Sequence, residues 1–243
     1  MRVLATYNIK GGVGKTSTAV NLAYLSSRDG ARTLLWDLDP QGAASFIFRI
    51  KPRVKGGGKG LVRRKFSLGD AIKGTDFDDL DLLPADFSYR NLDLLLDARS
   101  KPVAVLRKLL RPLSEDYDTV ILDCPPGISL VSESVMYATD TLLIPLIPAT
   151  LSLRTFDQLT DFVTRIEDRP PSLAAFFSMV DRRKKLHRDV VAAFTARRGD
   201  VLQTTIPAAS VIEQMAERRA PVPVFAPRST AAAAYVSLWA ELR

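Results

Sequence analysis

Lys10-Gly11-Gly12-Val13-Gly14-Lys15-Thr16 lies between a short apolar run, Arg2 to Tyr7, and a segment from Lys15 to Ser27 in which small and apolar residues recur at helical spacing. This order predicts a strand, a glycine-rich turn and a helix. Glycines let the backbone N–H groups of such a turn point at phosphate oxygens, and the helix start adds about half a positive charge. The pattern predicts a nucleoside triphosphate site, with the Lys15 ammonium near the β- and γ-phosphates and the Thr16 hydroxyl on Mg²⁺.

The loop differs from the usual phosphate-binding pattern at its start. That pattern has a glycine five positions before Gly14, where this chain has Ile9, and an extra lysine, Lys10, follows it. A glycine-rich turn that only packs is the alternative, and the flanking strand and helix favour phosphate binding over it. The predicted phosphate-binding residues are Lys10, Gly11, Gly12, Val13, Gly14, Lys15, Thr16 and Ser17.

Four further apolar runs predict the fold class: Thr33 to Trp36, Thr119 to Leu122, Thr141 to Pro145 and Leu173 to Val180. Apolar runs without alternation are typical of parallel strands that are covered on both faces. Helical patterns fall between them, so we expect an α/β fold with a doubly wound, mostly parallel sheet and helices on both faces. Length and the lack of a clear boundary predict one domain over residues 1–243.

Composition excludes several classes of protein. With 47% apolar and 25% charged residues among 243, the chain is expected to form a packed core rather than a disordered or fibrous structure. A single cysteine, Cys124, cannot form an intramolecular disulfide, and no apolar run reaches the roughly 20 residues that span a bilayer. We therefore expect a cytoplasmic protein, and the net charge of +7 is compatible with an anionic partner.

The positive charges are unevenly distributed along the chain. Eight fall between Arg49 and Lys65, where there is no acidic residue, and the triple glycine Gly56 to Gly58 within this stretch predicts a mobile, exposed loop. A second basic cluster runs from Arg182 to Arg188, whereas the region from Asp70 to Asp97 is acidic. Either the Lys51 to Lys65 loop or the Arg182 to Arg188 cluster could contact phosphates, and the alternative for each is a solvated charged surface.

Three motifs identify a family resemblance. The loop from Lys10 to Thr16 resembles the deviant Walker A motif of the ParA/MinD ATPases. The segment after the second strand resembles the corresponding segment of the ParA/Soj branch and reads Asp37-Leu38-Asp39-Pro40-Gln41-Gly42. Asp123-Cys124-Pro125-Pro126 is similar to its Walker B motif. Shorter matching motifs extend the resemblance over nearly the whole chain: Leu82 to Ala85, Leu143 to Pro145, Met179 to Asp181 and Ile206-Pro207.

The resemblance implies a slow, Mg²⁺-dependent, partner-stimulated ATP hydrolase that forms a homodimer around two ATP molecules. Lys10 would then reach the partner's phosphates, acting with Lys15 in catalysis, and Asp39 would position the attacking water. Asp123 would act on Mg²⁺ through a water molecule, and Asp37 would lie near the metal. Pro207 is the implied adenine contact.

The resemblance also implies non-specific DNA binding by the ATP dimer. Its role would be to partition or position a chromosome, a plasmid or a large cytoplasmic cargo on the nucleoid, with a ParB-like or cargo-adaptor protein as the activator. The matching basic residues here are Arg182, Arg183, Lys184, Lys185 and Arg188. The chain departs from its relatives at Ala208 and Val211, where they commonly carry arginines.

Two other functions were compared with this one. A MinD-like, membrane-associated regulator is disfavoured because the C-terminal stretch, Ala231 to Leu242, has few positive charges for a membrane anchor. A relative of the nitrogenase iron protein would need more than one cysteine per chain to hold a cluster.

Overall fold

Strand β1 (Arg2–Thr6) lies inside a sheet of eight strands in the computed structural model, which describes residues 1–166 and 169–243. The strand order is β3-β4-β2-β5-β1-β6-β7-β8, and all neighbours are parallel except the antiparallel pair β3–β4. The other strands are β2 (Thr33–Asp37), β3 (Lys73–Gly74), β4 (Leu80–Leu83), β5 (Thr119–Asp123), β6 (Thr141–Leu146), β7 (Ser172–Val180) and β8 (Val201–Pro207).

Helices cover both faces of this sheet. They are α1 (Lys15–Arg28), α2 (Ala43–Ile47), α3 (Gly57–Val62), α4 (Leu92–Asp97), α5 (Val105–Leu110), α6 (Leu130–Ala138), α7 (Thr150–Val163), α8 (Lys185–Thr195), α9 (Ser210–Glu213), α10 (Met215–Arg218), α11 (Val222–Phe225) and α12 (Thr230–Leu242). Successive strand residues point to opposite faces, so Val120 and Leu122 pack in one core and Ile121 in the other. The predicted doubly wound, mostly parallel α/β fold is confirmed.

The register of the central strands positions the carboxylates. Asp123 at the end of β5 pairs with Asp37 at the end of β2 and with Thr6 at the end of β1. Parallel strands bring their carboxyl ends to one edge of the sheet, and β1 runs from there into the glycine-rich turn. The edge that carries the loop therefore also carries both aspartates.

The stretch between Arg49 and Lys65 differs from its prediction as an exposed loop. It contains α3, and Val54, Leu61 and Val62 are at most 4% exposed. Gly58 packs where a Cβ would lie 3.2 Å from the Leu92 side chain, so the glycine is used for close packing. The prediction of a loop is wrong for Gly57–Val62, whereas the basic side chains of the stretch are exposed as predicted.

No helix within residues 1–166 and 169–243 has both the length and the apolar character needed to cross a membrane.

Candidate nucleotide-binding site

The turn after β1 forms an open cradle at the start of α1. Gly12 and Gly14 have φ of 70° and 94°, a left-handed conformation that favours glycine. A Cβ on Gly11 or Gly12 would meet no atom within 4 Å, whereas one on Gly14 would lie 2.9 Å from Ser178 Oγ. The start of α1 has no side-chain cap, so its first N–H groups can bind an anion.

Lys15 lies inside this cradle. Its side chain is largely buried, and Nζ donates a hydrogen bond of 3.0 Å to the carbonyl oxygen of Lys10. Burial lowers the pKa of Lys15, and the negative charge of Asp123 opposes that shift. The loop thus folds back over the lysine ammonium and holds it close to the Asp123 carboxylate.

The sequence predictions missed Asn8, which fixes the start of the turn. Its Nδ2 donates to the carbonyl oxygen of Pro145 at 2.8 Å, and its Oδ1 accepts the N–H of Lys10 at 2.9 Å. Asn8 is buried, and its contact with Pro145 is shielded from water, while the contact with Lys10 is partly shielded. A polar residue placed between an apolar strand and the glycine turn was the available signal, but its partner on β6 could not be read from the chain.

A second link joins the turn to the loop after β5. The N–H of Gly127 donates to the carbonyl oxygen of Ile9 at 3.0 Å, and the Tyr7 hydroxyl donates to the carbonyl oxygen of Gly127 at 2.8 Å. Displacement of either loop would therefore strain the other. The loop that contains Gly127 directly follows Asp123, so the turn and the Asp123 strand end are held together.

Asp123 has a carboxylate oxygen that the described residues leave unused. The side chain is fully buried, Oδ1 accepts a long hydrogen bond of 3.4 Å from the Thr6 hydroxyl, and Oδ2 has no partner within residues 1–166 and 169–243. Burial, followed by the charge of Asp37, raises the pKa of Asp123, and a contact with the Thr16 hydroxyl opposes this. A buried, unpaired carboxylate oxygen beside Thr16 fits a Mg²⁺-bound water.

Asp37 is held differently. Its Oδ2 accepts hydrogen bonds of 2.8 Å from both the N–H and the hydroxyl of Ser45, and its Oδ1 accepts the N–H of Asp39 at 3.3 Å. Burial raises the pKa of Asp37 to about 6 despite these bonds. The carboxylate therefore positions the start of α2 and the Asp39 loop, and its metal role stays a prediction.

Asp39 is half-buried in that loop, and its Oδ1 accepts the N–H of Gln41 at 2.9 Å. The part of the chain that the structure describes holds no group of three His, Cys, Asp or Glu side chains suited to a metal ion. The predicted Mg²⁺ site needs no such group, since this hard cation readily retains water and binds phosphate oxygens beside a single hydroxyl such as that of Thr16. The residues present fit a magnesium nucleotide.

Pro207 ends β8 and lines a groove of about 480 Å³ together with Val180 and Arg182. This groove runs between β8 and α12 and reaches the carboxyl ends of β7 and β8, where open α/β sheets bind ligands. Its position is compatible with the predicted adenine contact.

The predicted DNA-binding cluster follows β7 and is exposed, but its members differ in how they are held. Arg183 is paired with Asp181 at 3.0 Å, which lowers the pKa of that carboxyl to about 2. Arg188 donates to the carbonyl oxygen of Arg182 at 2.7 Å. Lys184 and Lys185 are exposed and have no acidic side chain within 4 Å among the described residues.

Comparisons with known proteins agree with this geometry. The model of an AAA domain family matches residues 1–175. The chromosome partitioning protein ParA of Caulobacter vibrioides is 30% identical over 259 residues, which cover 100% of this chain and 94% of that protein.

Two solved structures are similar as well. The ATP complex of a substituted McdA from Cyanothece has a TM-score of 0.88 at 22% identity, covering 100% of this chain and 96% of that one, and shows the shared fold. Cobyrinic acid a,c-diamide synthase from Mycobacterium smegmatis, with an ATP analogue and magnesium bound, has a TM-score of 0.78 at 29% identity, covering 90% and 91%. The full-length match to ParA, joined to a phosphate loop with a second lysine, shows that this chain belongs to the ParA/MinD family of P-loop ATPases.

Proposed function

We propose that this protein is a Mg²⁺-dependent ATPase, built as one unit over residues 1–243, that dimerises around ATP and partitions or positions a chromosome, plasmid or large cargo. The carrying observation is Lys10, a second lysine in the phosphate loop whose backbone is fixed by the buried Asn8. A lysine anchored at the loop's outer end is suited to act on phosphates other than those bound by its own loop.

The described residues divide the chemistry among them. Lys15 and the N–H groups of the turn would hold the β- and γ-phosphates, and Thr16 would hold Mg²⁺, which would supply positive charge opposite the phosphates. Asp39 would orient the attacking water, and the unpaired Oδ2 of Asp123 would be free to hold a water of the magnesium ion. Lys10 of one subunit stabilises the leaving phosphates of the other, so hydrolysis requires the dimer.

Substitution of the two lysines tests this division. Lys10→Ala should keep ATP binding and lose about 10³-fold or more of the hydrolysis rate, the scale of a finger residue supplied in trans. Lys15→Ala should lose nucleotide binding, and Asp39→Ala should accumulate as an ATP dimer without turnover. Nucleotide affinity, dimer mass and steady-state hydrolysis separate the three outcomes. Wild-type hydrolysis by Lys10→Ala would refute the role in trans.

We further propose that the ATP dimer binds DNA non-specifically and associates with the nucleoid, and that a ParB-like or cargo-adaptor protein stimulates hydrolysis. The exposed basic cluster after β7 and the net charge of +7 support this. Binding to phosphates alone should weaken steeply as salt rises. Affinity for a DNA duplex that is independent of ATP, or of salt, would count against this part of the proposal.

A further inference from the structure

A second groove opens at the edge of the sheet opposite the phosphate loop. Its volume is about 810 Å³, and it lies where β1 and β6 begin, between the segment that leads into α5 and the end of α6. The floor is largely apolar, with Val3 and Leu110 buried and Val103, Tyr137 and Ala138 half-buried. The groove shares no lining residue with the predicted nucleotide site.

The rim of this groove is basic. Residues 98 to 114 contain five positive charges and no acidic residue. Four of them line the groove with exposed side chains: Lys101, Arg107, Lys108 and Arg111. None of these four has a carboxylate within 4 Å in the part of the chain that the structure describes.

Asp140, the carboxylate at the far end of the groove, is already paired within the protein. Asp140 pairs with Arg169 at 2.7 Å through Oδ1, and its Oδ2 accepts the N–H of Val3 at 2.8 Å. It therefore balances one cation of the lining and leaves the other four uncompensated among the described residues. The groove is therefore apolar at its base and positively charged at its rim.

We propose that this groove docks an acidic amphipathic peptide segment of a partner protein. Apolar side chains of such a segment would displace water from the half-buried Val103, Tyr137 and Ala138, and flanking carboxylates would meet the rim cations. A DNA duplex would reach the rim with its phosphates but would leave the apolar floor uncovered, because its backbone offers no apolar side chain. Charge complementarity and the recessed floor together favour the peptide.

The position of the groove determines how docking relates to the ATPase cycle. The phosphate loop, Asp39 and Asp123 lie at the carboxyl edge of the sheet, and the groove lies at the amino edge. Docking should therefore occur with or without ATP and leave hydrolysis unchanged. A basic activating segment would be repelled by this rim, so the proposed occupant is a different partner and does not depend on the proposed function.

The test uses synthetic peptides and the full chain. The probe is a fluorescent peptide of about 14 residues, some 21 Å as a helix, with leucines at helical spacing along one face and glutamates elsewhere. A second peptide replaces the leucines by serines. The protein variants are Arg107→Glu with Arg111→Glu, Val103→Ser, and a control that reverses two exposed charges elsewhere, Arg28→Glu with Lys73→Glu. Fluorescence anisotropy measures affinity with and without ATP, and circular dichroism and ATP hydrolysis check each variant.

We expect the leucine peptide to bind the wild type and the control equally, in either nucleotide state. Arg107→Glu with Arg111→Glu should weaken binding at least about tenfold, and Val103→Ser several-fold, since both rim and floor contribute. The proposal is overturned if the serine peptide binds as tightly, if the doubly reversed variant binds like wild type, or if the leucine peptide does not bind at near-physiological salt. Loss of DNA duplex binding rather than peptide binding in that variant would assign the groove to nucleic acid and also overturn it.

Discussion

The Ser45 hydroxyl connects two loops at the edge of the sheet that carries the phosphate loop. It donates to Asp37 Oδ2 at 2.8 Å and accepts the N–H of Ala85 at 3.0 Å, and all three residues are buried. Ser45→Ala leaves a buried N–H unpaired, so the free energy of unfolding should fall by about 1–3 kcal/mol. Urea denaturation measures this, with the exposed Ser237→Ala expected within about 0.5 kcal/mol of wild type. Equal stability of the two variants would contradict the bridging role.

Gly14 and Gly11 offer a matched pair within one loop. Gly14 has φ 94° and a Cβ there would lie 2.9 Å from Ser178 Oγ, whereas a Cβ on Gly11 would meet nothing within 4 Å. In the nucleotide-free protein, Gly14→Ala should lower the free energy of unfolding by about 1–3 kcal/mol through backbone strain and crowding. Gly11→Ala should leave it within about 0.5 kcal/mol, because it is exposed and unstrained. Thermal and urea denaturation measure the free energy of unfolding of both variants. A similar decrease in the two would show that the backbone strain is not specific to Gly14.

At the scale of elements, α3 carries a prediction about local stability. Leu61 is 2% exposed and belongs to the core on the α3 face of the sheet, while Lys59 and Arg63 beside it are exposed trypsin sites. Leu61→Ala removes buried apolar contacts worth about 2–5 kcal/mol, and a short helix is expected to open locally when it loses them.

Limited trypsin digestion followed by mass spectrometry measures this opening. Cleavage at Lys59 and Arg63 should be slow in the wild type and clearly faster in Leu61→Ala. Leu94→Ala, whose side chain is 73% exposed, should cleave like wild type. Rapid cleavage of the wild-type protein within α3 would mean that this segment is not held by the core.

The elements differ in how far the sequence could predict them. The parallel strands were predictable because a strand buried on both faces needs a continuous apolar run, which Thr119 to Leu122 and Thr141 to Pro145 provide. The order of α3 was not predictable, because it depends on contacts with distant residues: the Val54 N–H donates to Asp86, and the Gly58 N–H donates to Ser88. The local sequence, with its three consecutive glycines and its like charges, favoured a loop instead.

The same limit applies to the site. The glycine turn and Asp123 were predictable because each follows directly from a strand end and a motif of adjacent residues. The role of Asn8 depends on the carbonyl oxygen of Pro145, on a strand far along the chain. The basic rim around Arg107 also escaped prediction, since its cations are separated by apolar residues and meet Arg169 only in the folded chain.

For the whole molecule, the net charge of +7 resolves into separate basic surfaces. One surrounds α3, one lines the groove along α5, and one follows β7. Each is only partly balanced: Arg49 pairs with Asp76 and Arg183 with Asp181, whereas Lys184 and Lys185 after β7, like Lys55 and Lys59 on the α3 surface, have no acidic partner among the described residues. A cation that is already paired must give up that contact to bind a phosphate, so within the cluster after β7 the unpaired Lys184 and Lys185 should contribute more to DNA binding than Arg183.

The dependence of DNA affinity on salt distinguishes these surfaces. Each phosphate contact contributes about 0.9 to the slope of log affinity against log salt, so Lys184→Ala with Lys185→Ala should reduce the slope in the ATP state by about two for each subunit that contacts the DNA. Arg183→Ala should reduce it by less than about one per subunit, because Arg183 is held by Asp181. Lys55→Ala with Lys59→Ala removes two equally exposed and unpaired lysines of the α3 surface, outside the predicted DNA-binding cluster, and as the matched control should leave the slope unchanged. A slope that falls with the α3 pair and not with Lys184 and Lys185 would transfer the DNA contact to α3, since the slope counts phosphates regardless of which face binds them.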